Sequence, residues 1–93
     1  MYEIIFDNSA AKFFKKLDKN LQERIGKKIE LLKNNPMMGE QLIGNLSGLK
    51  KLRIGDYRII YQIKNEQLII LILDIGHRKN IYKNDGYRFD KTI

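Results

Sequence analysis

One segment in the second half of the chain is apolar at every position up to its last residue. Residues 68–74 read LIILILD, without the alternation of polar and apolar side chains that marks a half-exposed strand. A strand that is buried on both faces has this continuous apolar composition. We therefore predict a strand over residues 67–75 at the centre of a sheet, covered on both sides.

Two further strands precede this central strand, and short polar turns separate the three. Residues 49–54 and 57–64 are rich in β-branched and aromatic side chains. The dipeptide Gly55-Asp56 between them has the composition of a two-residue hairpin turn. Asn65-Glu66 is the predicted second turn. The three strands should therefore form an antiparallel meander.

The first third of the chain predicts one strand followed by two helices. YEIIF, residues 2–6, has strand composition, and Asn8 or Ser9 is the predicted N-cap of the helix that follows. Apolar side chains then recur with helical spacing in two stripes, which are Ala10, Phe13, Phe14 and Leu17, then Leu21, Ile25, Ile29 and Leu32. Only residues 18–20 separate the helices, so we expect a tight helical hairpin, which ends before Pro36.

The element order is therefore β-α-α-β-β-β, with residues 36–48 as a loop. We predict the α+β class, with a small antiparallel sheet and the helical hairpin packed on one face. The length of 93 residues suffices for one modest core, so residues 1–93 are interpreted as a single domain. No segment approaches the about 18 apolar residues of a membrane span, and we predict no signal peptide, because residues 1–14 lack a basic region followed by a long apolar run. We expect a cytoplasmic protein without a membrane partner.

The Gly55-Asp56 turn determines which side chains share a face. It places Arg53 opposite Arg58 and Leu52 opposite Ile59, so Lys51, Arg53 and Arg58 lie on the face away from the apolar one. Continued through the second turn, the pairing puts Ile63 opposite Leu68, Tyr61 opposite Ile70 and Ile59 opposite Ile72. The result is a cationic patch, bordered by an apolar patch of Ile60, Leu71 and Leu73 that a tail or a separate protein should cover.

The charge balance narrows the function. The chain has 18 Lys and Arg against 11 Asp and Glu, a net charge of +7, which favours an anionic partner, with nucleic acid first and an acidic protein second. It contains no Gly-rich phosphate loop and no His, Asp and Glu at metal-ligand spacing. We therefore expect no cofactor and no metal-dependent nuclease. Ser9 and Ser47 have no residues around them that would complete a catalytic triad.

A second polar cluster follows the central strand. IGHRKNIY, residues 75–82, contains His77, Arg78 and Tyr82. Because the central strand pairs with the strand before it, this segment should emerge near Arg58. A lone histidine or tyrosine is more often structural than catalytic, and the expected proximity to the cationic patch is what makes these residues candidates.

The element order, the stretch LKKLRIGDYRIIYQI and the closing IGHRKNIY resemble a RelE-type toxin of the RelE/ParE toxin–antitoxin superfamily, over nearly the whole chain. The resemblance implies a ribosome-dependent mRNA endonuclease, silenced by an acidic RelB-type antitoxin in a hetero-oligomer, with the ribosome and mRNA as further partners. Carried over by position, the implied catalytic residues are Lys51, Arg53, Arg58, Arg78, Tyr82 and His77.

These residue types fit metal-independent RNA cleavage. Arginine can neutralise the phosphorane that forms when the 2′-hydroxyl attacks the adjacent phosphorus. The proton transfers require a group poised near neutrality. Lys51, which is crowded by the two arginines, and His77 are the candidates for this role. Tyr82 could move a proton or stack on a base.

Two alternatives remain open. One is a ParE-type inhibitor of DNA gyrase without nuclease activity, against which the full cationic set argues. The other is a non-enzymatic basic module that binds RNA.

Overall fold

The computed structural model describes residues 1–77. Its helices and strands are β1 (Glu3–Phe6), α1 (Asn8–Lys16), α2 (Lys19–Leu31), β2 (Glu40–Gln41), β3 (Lys50–Ile54), β4 (Tyr57–Lys64) and β5 (Ile69–His77). The predicted α+β class and the helical hairpin are confirmed. Over these residues no helix combines the length and hydrophobicity needed to cross a membrane.

The five strands form one sheet in the order β1-β5-β4-β3-β2. The apolar strand β5 lies in the interior of this sheet, between β1 and β4, as its composition predicts. Two features differ from the sequence prediction. β1 pairs with β5 in parallel, and the segment predicted as a loop contains the two-residue strand β2 at the edge of the sheet. The sheet is therefore mixed. It consists of β1, which precedes the helices, and the four strands β2 to β5, which follow them.

Aspartates begin both helices. The N-cap of α1 is Asp7, whose Oδ1 accepts a hydrogen bond from the backbone N–H of Ala10 at 3.1 Å. The predicted caps Asn8 and Ser9 are thus wrong, since both residues lie within the helix. Asp18 caps α2 in the same way, accepting from the N–H of Leu21 at 2.9 Å. Asp18 directly follows Leu17, the C-cap residue of α1, so the connection between the helices is short and the helical hairpin is tight.

The main core lies between the helical hairpin and one face of the sheet. Both predicted stripes contribute to it, and the side chains that are buried from the helical region are Ala10, Ile25, Ile29 and Leu32. The sheet contributes Leu52, Ile54, Ile59, Tyr61, Ile70, Ile72 and Ile75. Burial of each leucine or isoleucine side chain in this core is worth about 1.5–3 kcal/mol, so this interface is the principal source of stability.

The connection between β4 and β5 differs from the predicted two-residue turn. Residues 65–67 form a 3-10 turn, and Leu68 follows in the left-handed region with φ of 56°. Ile63 consequently pairs with Ile70 rather than with Leu68, which is 50% exposed. A shift of two residues keeps the side chains of residues 69–72 on their predicted faces, because strand side chains alternate with a period of two.

A bulge then shifts the register once more. Tyr61 pairs with Ile72 and Ile60 with Asp74, so Leu73 is the extra residue in β5. Beyond it, Ile59 pairs with Ile75 instead of the predicted Ile72. Because of the bulge, Asp74 and Gly76 lie on the same face of the sheet as Ile60. The alternation predicted from the sequence had not placed these two residues on that face.

A smaller apolar cluster covers part of the opposite face. Ile60 is only 2% exposed and packs with Leu49, and the half-buried Leu42, Leu46 and Leu73 complete the cluster. Ile60, which was expected to need a tail or a separate protein to cover it, is therefore already covered. Residues 42–49, which lead into β3, cover this side chain from within the chain itself.

Candidate active site

The turn at Gly55 and Asp56 forms as predicted and places two arginines face to face. Arg53 of β3 pairs directly with Arg58 of β4. Gly55 adopts φ of +58°, a conformation that costs glycine little and is strained for other residues. Lys51 pairs with Ile60 and shares the face of the two arginines, whereas the adjacent Lys50 lies on the other face. We call Lys51, Arg53 and Arg58 the cationic face.

The two arginines have different environments. Arg53 is exposed and forms no ion pair with any residue in the range 1–77. Arg58 is 2% exposed, although its side chain projects away from the helices. Since a buried guanidinium is costly unless its charge is compensated, Arg58 requires polar partners within the fold.

Asp74 provides a negative charge close to Arg58. Arg58 pairs with Gly76 and Ile60 with Asp74, so Asp74 is a diagonal neighbour of Arg58 on the same face. Asp74 is also 2% exposed. Two opposite charges are thus buried side by side on adjacent strands. Asp74 is therefore positioned to offset part of the repulsion between the opposed arginines.

Lys51 has a carboxylate partner from the edge strand. β2 places Glu40 opposite Lys51, and the Lys51 Nζ lies 3.3 Å from the Glu40 Oε1. The Lys51 side chain is 20% exposed and that of Glu40 is 72% exposed. The ion pair therefore lies at the rim of the cationic face, where solvent and a ligand can reach it. Exposed pairs of this kind contribute about 0–1 kcal/mol, so a bound anion can replace Glu40 at little cost.

Tyr61 fixes the segment that leads into β2. Its buried hydroxyl donates to the Pro36 carbonyl at 2.7 Å and accepts from the Gly39 N–H at 2.9 Å. Burial raises the pKa of the Tyr61 phenol above its ordinary value of 10.0, and the hydrogen bond from Gly39 offsets part of that rise. Lys50 adds a contact from its Nζ to the Gly39 carbonyl at 3.5 Å. These hydrogen bonds hold the segment from Pro36 to Gly39, which directly precedes Glu40, against the sheet.

Glycine is the only residue type that fits at position 39. A Cβ there would lie 2.6 Å from the Tyr61 hydroxyl oxygen and 2.8 Å from the Lys51 carbonyl oxygen. One of these is the backbone of β3, which cannot move aside without disturbing the sheet. The close approach of chain segments at Gly39 therefore determines where Glu40 meets Lys51.

His77 lies on the other side of the sheet. It is the last residue of β5 and pairs with Tyr57, so the described chain ends beside the Gly55-Asp56 turn, as predicted. Directly paired residues project from the same face, and Tyr57 packs with the helix-side core. The His77 and Tyr57 rings are 5.3 Å apart in an edge-on arrangement. The imidazole is therefore directed away from the cationic face. Arg78 and Tyr82 lie outside the described residues.

Three residues near the cationic face were not predicted from the sequence. Asp74 carried a signal, because it is the one charge in an otherwise apolar run and such a charge requires a counter-ion. No signal in the sequence pointed to Glu40 or Tyr61. The role of Glu40 depends on a two-residue strand, and that of Tyr61 depends on a contact with Gly39, 22 residues away in the chain. In the described range, no three His, Cys, Asp or Glu side chains are grouped as metal ligands.

Comparison with known proteins agrees with this fold. Residues 4–82 match the family model described as the ParE toxin of the type II toxin–antitoxin system parDE. A RelE-like toxin protein of Escherichia coli is 35% identical over 83 residues, 84% of each chain. The mRNA interferase toxin RelE of Escherichia coli strain K12 is 31% identical over 80 residues, again 84% of each.

A solved structure supports the same relationship. The structure of the Mycobacterium tuberculosis toxin–antitoxin complex RelBE2 contains a chain that is 28% identical, with a TM-score of 0.76 over 83% of this chain and 98% of that one. The protein belongs to the RelE/ParE superfamily of toxins from type II toxin–antitoxin systems. Within that superfamily it is a RelE-type toxin, as the sequence resemblance predicted.

Proposed function

We propose that this toxin is a ribosome-dependent mRNA endonuclease that uses the 2′-hydroxyl of its substrate as the nucleophile. The observation that carries the proposal is the shared face of Lys51, Arg53 and Arg58, with the two arginines directly opposed. Its support from relatives is the 31% identity to a protein named mRNA interferase toxin RelE. Three cations on one face of a sheet suit a polyanionic substrate.

In the proposed reaction the 2′-oxygen attacks the adjacent phosphorus and loses its proton to a base. The P–O5′ bond breaks, and the departing 5′-oxygen takes up a proton. The products are a 2′,3′-cyclic phosphate and a 5′-hydroxyl. The reaction needs no metal, because the RNA supplies the nucleophile and the arginines stabilise the charge on phosphorus.

The structure supports different roles for the two arginines in this reaction. Arg53 is exposed and has no ion pair in residues 1–77, so it can contact the scissile phosphate directly. Arg58 is buried beneath the same face and contributes a fixed positive charge. A preorganised charge stabilises a transition state without the cost of reorganising solvent.

Lys51 is the proposed proton-transfer group among the described residues, because it projects from the same face as the arginines. His77 is the weaker candidate, since it packs against Tyr57 on the helix side. Arg78 and Tyr82 complete the proposal by position in the sequence, with Arg78 as a second phosphate ligand and Tyr82 as a stacking or proton-transfer group.

We further propose an acidic RelB-type antitoxin as the partner that silences this activity in the cytoplasm. Structures similar to this chain include the intact Escherichia coli RelBE toxin–antitoxin complex, with a TM-score of 0.73. The net charge of +7 favours an acidic partner. Co-expression with a neighbouring acidic reading frame should abolish toxicity and yield a copurifying complex, and persistent toxicity without a complex would refute this part.

The direct test is primer extension on an mRNA that is being translated. We expect cuts within the coding region in the presence of ribosomes, and none in a control mRNA whose start codon has been removed. The downstream fragments should carry 5′-hydroxyl ends, which a ligase joins only after treatment with a kinase. Equal cutting of both mRNAs would refute the dependence on the ribosome, and 5′-phosphate ends would refute the 2′-hydroxyl mechanism.

A second candidate function is inhibition of DNA gyrase, which the description of the matching family model as a ParE toxin favours. A gyrase supercoiling assay separates the two. Inhibition of supercoiling together with intact translated mRNA would establish the ParE-type activity in place of the nuclease. RNA binding without either effect would leave the basic RNA-binding module.

A further inference from the structure

The cationic face continues into a cleft at the edge of the sheet. This edge cleft has a volume of about 430 Å³, and the residues that line it include Lys28, Met38, Gly39, Glu40, Lys51 and Arg53. Its size falls in the range of about 300–1,000 Å³ that is typical of ligand pockets. Lys51 and Arg53 thus belong to both the cationic face and the edge cleft, whereas Lys28 comes from the last turn of α2.

The edge cleft is positively charged. Lys28, Lys51 and Arg53 contribute three positive charges and Glu40 one negative charge, so the lining carries 3 − 1 = +2. Glu40 is paired with Lys51. Lys28 and Arg53 are exposed and form no ion pair with residues 1–77. Two cations are therefore available to a ligand.

The basic surface of α2 extends this charge along the hairpin. Arg24 lies four residues before Lys28, on the same side of the helix, and like charges at this spacing destabilise a helix slightly. The Arg24 guanidinium reaches the turn between β3 and β4, with Nη2 3.0 Å from the place of a Cβ on Gly55. Asp56 lies in that turn but forms no ion pair with Arg24 in the described chain.

We propose that the edge cleft binds a second phosphate of the RNA, next to the phosphate on the cationic face. This inference rests on the proposed function. Lys28 holds the second phosphate, and Arg53, which belongs to both the cationic face and the edge cleft, contacts the scissile phosphate and the second phosphate. The RNA backbone would thus pass from the sheet around the β2 edge toward α2. Lysine binds phosphate as a flexible point charge, and the half-buried Met38 offers an apolar contact for the sugar. Continuity with the cationic face favours RNA over an acidic protein as the occupant.

The test measures binding of a fluorescent 2′-O-methyl oligoribonucleotide, which lacks the attacking hydroxyl, to the full chain at several salt concentrations. Lys28→Gln should weaken binding several-fold and reduce the slope of log K against log salt by about 0.7, the value for one phosphate contact on a single strand. Lys28→Arg should retain wild-type binding.

Lys16→Gln is the matched control. Lys16 is likewise exposed and in the last turn of its helix, and the substitution changes the net charge equally, but Lys16 is not part of the cleft lining. We expect Lys16→Gln to bind as the wild type does.

Three outcomes would overturn the proposal. The first is an equal effect of the two glutamine substitutions, and the second is absence of binding by the wild type. The third is a loss of antitoxin affinity in Lys28→Gln with unchanged RNA binding, which would assign the cleft to the acidic partner. Cleavage of translated mRNA is assayed separately. An inactive wild type would refute the proposed function, whereas the comparison of the two variants in oligonucleotide binding decides the edge cleft.

Discussion

Arg53 and Arg58 are directly paired on adjacent strands, yet Arg53 is exposed and Arg58 is 2% exposed. The difference arises from their neighbours in the sheet. Arg58 lies in the interior strand β4, diagonal to the buried Asp74, whereas Arg53 lies on β3, next to the two-residue edge strand β2. One arginine is thus built into the fold and the other is presented to solvent.

Substitution should separate the two arginines. Arg53→Ala should lower the rate of mRNA cleavage by about 10²–10³-fold and change the free energy of unfolding by less than about 0.5 kcal/mol, because the side chain is exposed. Arg58→Ala should lower the rate similarly and also destabilise the fold by about 1–3 kcal/mol, since Asp74 would remain buried without its neighbouring cation. Urea unfolding and single-turnover cleavage measure the two effects. Equal stability losses in both variants would contradict the difference in environment.

Lys51 should matter more for proton transfer than His77. Lys51→Ala should slow cleavage by about 10²–10⁴-fold, the range of general acid–base catalysis, because Lys51 shares the face of the arginines. His77→Ala should change the rate by less than about tenfold, since the imidazole packs on the helix side. The measurement is the pH–rate profile of each variant. A basic limb that disappears only in the His77 variant would reverse the order, and a larger loss from Glu40→Gln would assign the transfer to that carboxylate.

Tyr61→Phe should destabilise the protein and change its response to alkali. Removing the hydroxyl leaves the Gly39 N–H and the Pro36 carbonyl without this partner, at a cost of about 1–3 kcal/mol below pH 10. Because the pKa of Tyr61 is raised in the folded state, its contribution is complete below the ordinary value of 10.0 and is lost as the pH rises through the raised pKa. The wild type should therefore lose more stability than Tyr61→Phe above pH 10, which chemical denaturation at graded pH would detect. Parallel curves would show that this phenol does not titrate with unfolding.

Gly39→Ala and Gly26→Ala should have opposite effects on stability. At Gly39 a Cβ would overlap the Tyr61 hydroxyl and the Lys51 carbonyl, and overpacking of this kind costs about 1–3 kcal/mol. At Gly26, inside α2, a Cβ would meet Phe14 at 3.7 Å, an ordinary contact and the only one within residues 1–77. Alanine also favours a helix by about 1 kcal/mol over glycine. Thermal unfolding of both variants is the measurement. A stable Gly39→Ala protein would mean that β2 can leave the sheet without cost.

Much of the fold follows from local patterns in the sequence. The hairpin at Gly55 has its predicted register because two residues with turn chemistry leave little choice of pairing. The pairing across the second turn was predicted wrongly, because Leu68 adopts a left-handed conformation that its side chain does not favour. The faces up to the bulge were nevertheless correct, since the error amounted to two residues.

The sequence by itself determined the helical hairpin, the interior position of β5 and the shared face of Lys51 and the two arginines, because periodicity and turn chemistry act over a few residues. The tertiary structure decided the burial of Arg58 beside Asp74, the pairing of Glu40 with Lys51 and the orientation of His77. Each of these depends on segments far apart in the chain that meet only when the sheet is assembled. Contacts of that kind leave no periodic pattern in the sequence, so they become visible only in the folded protein.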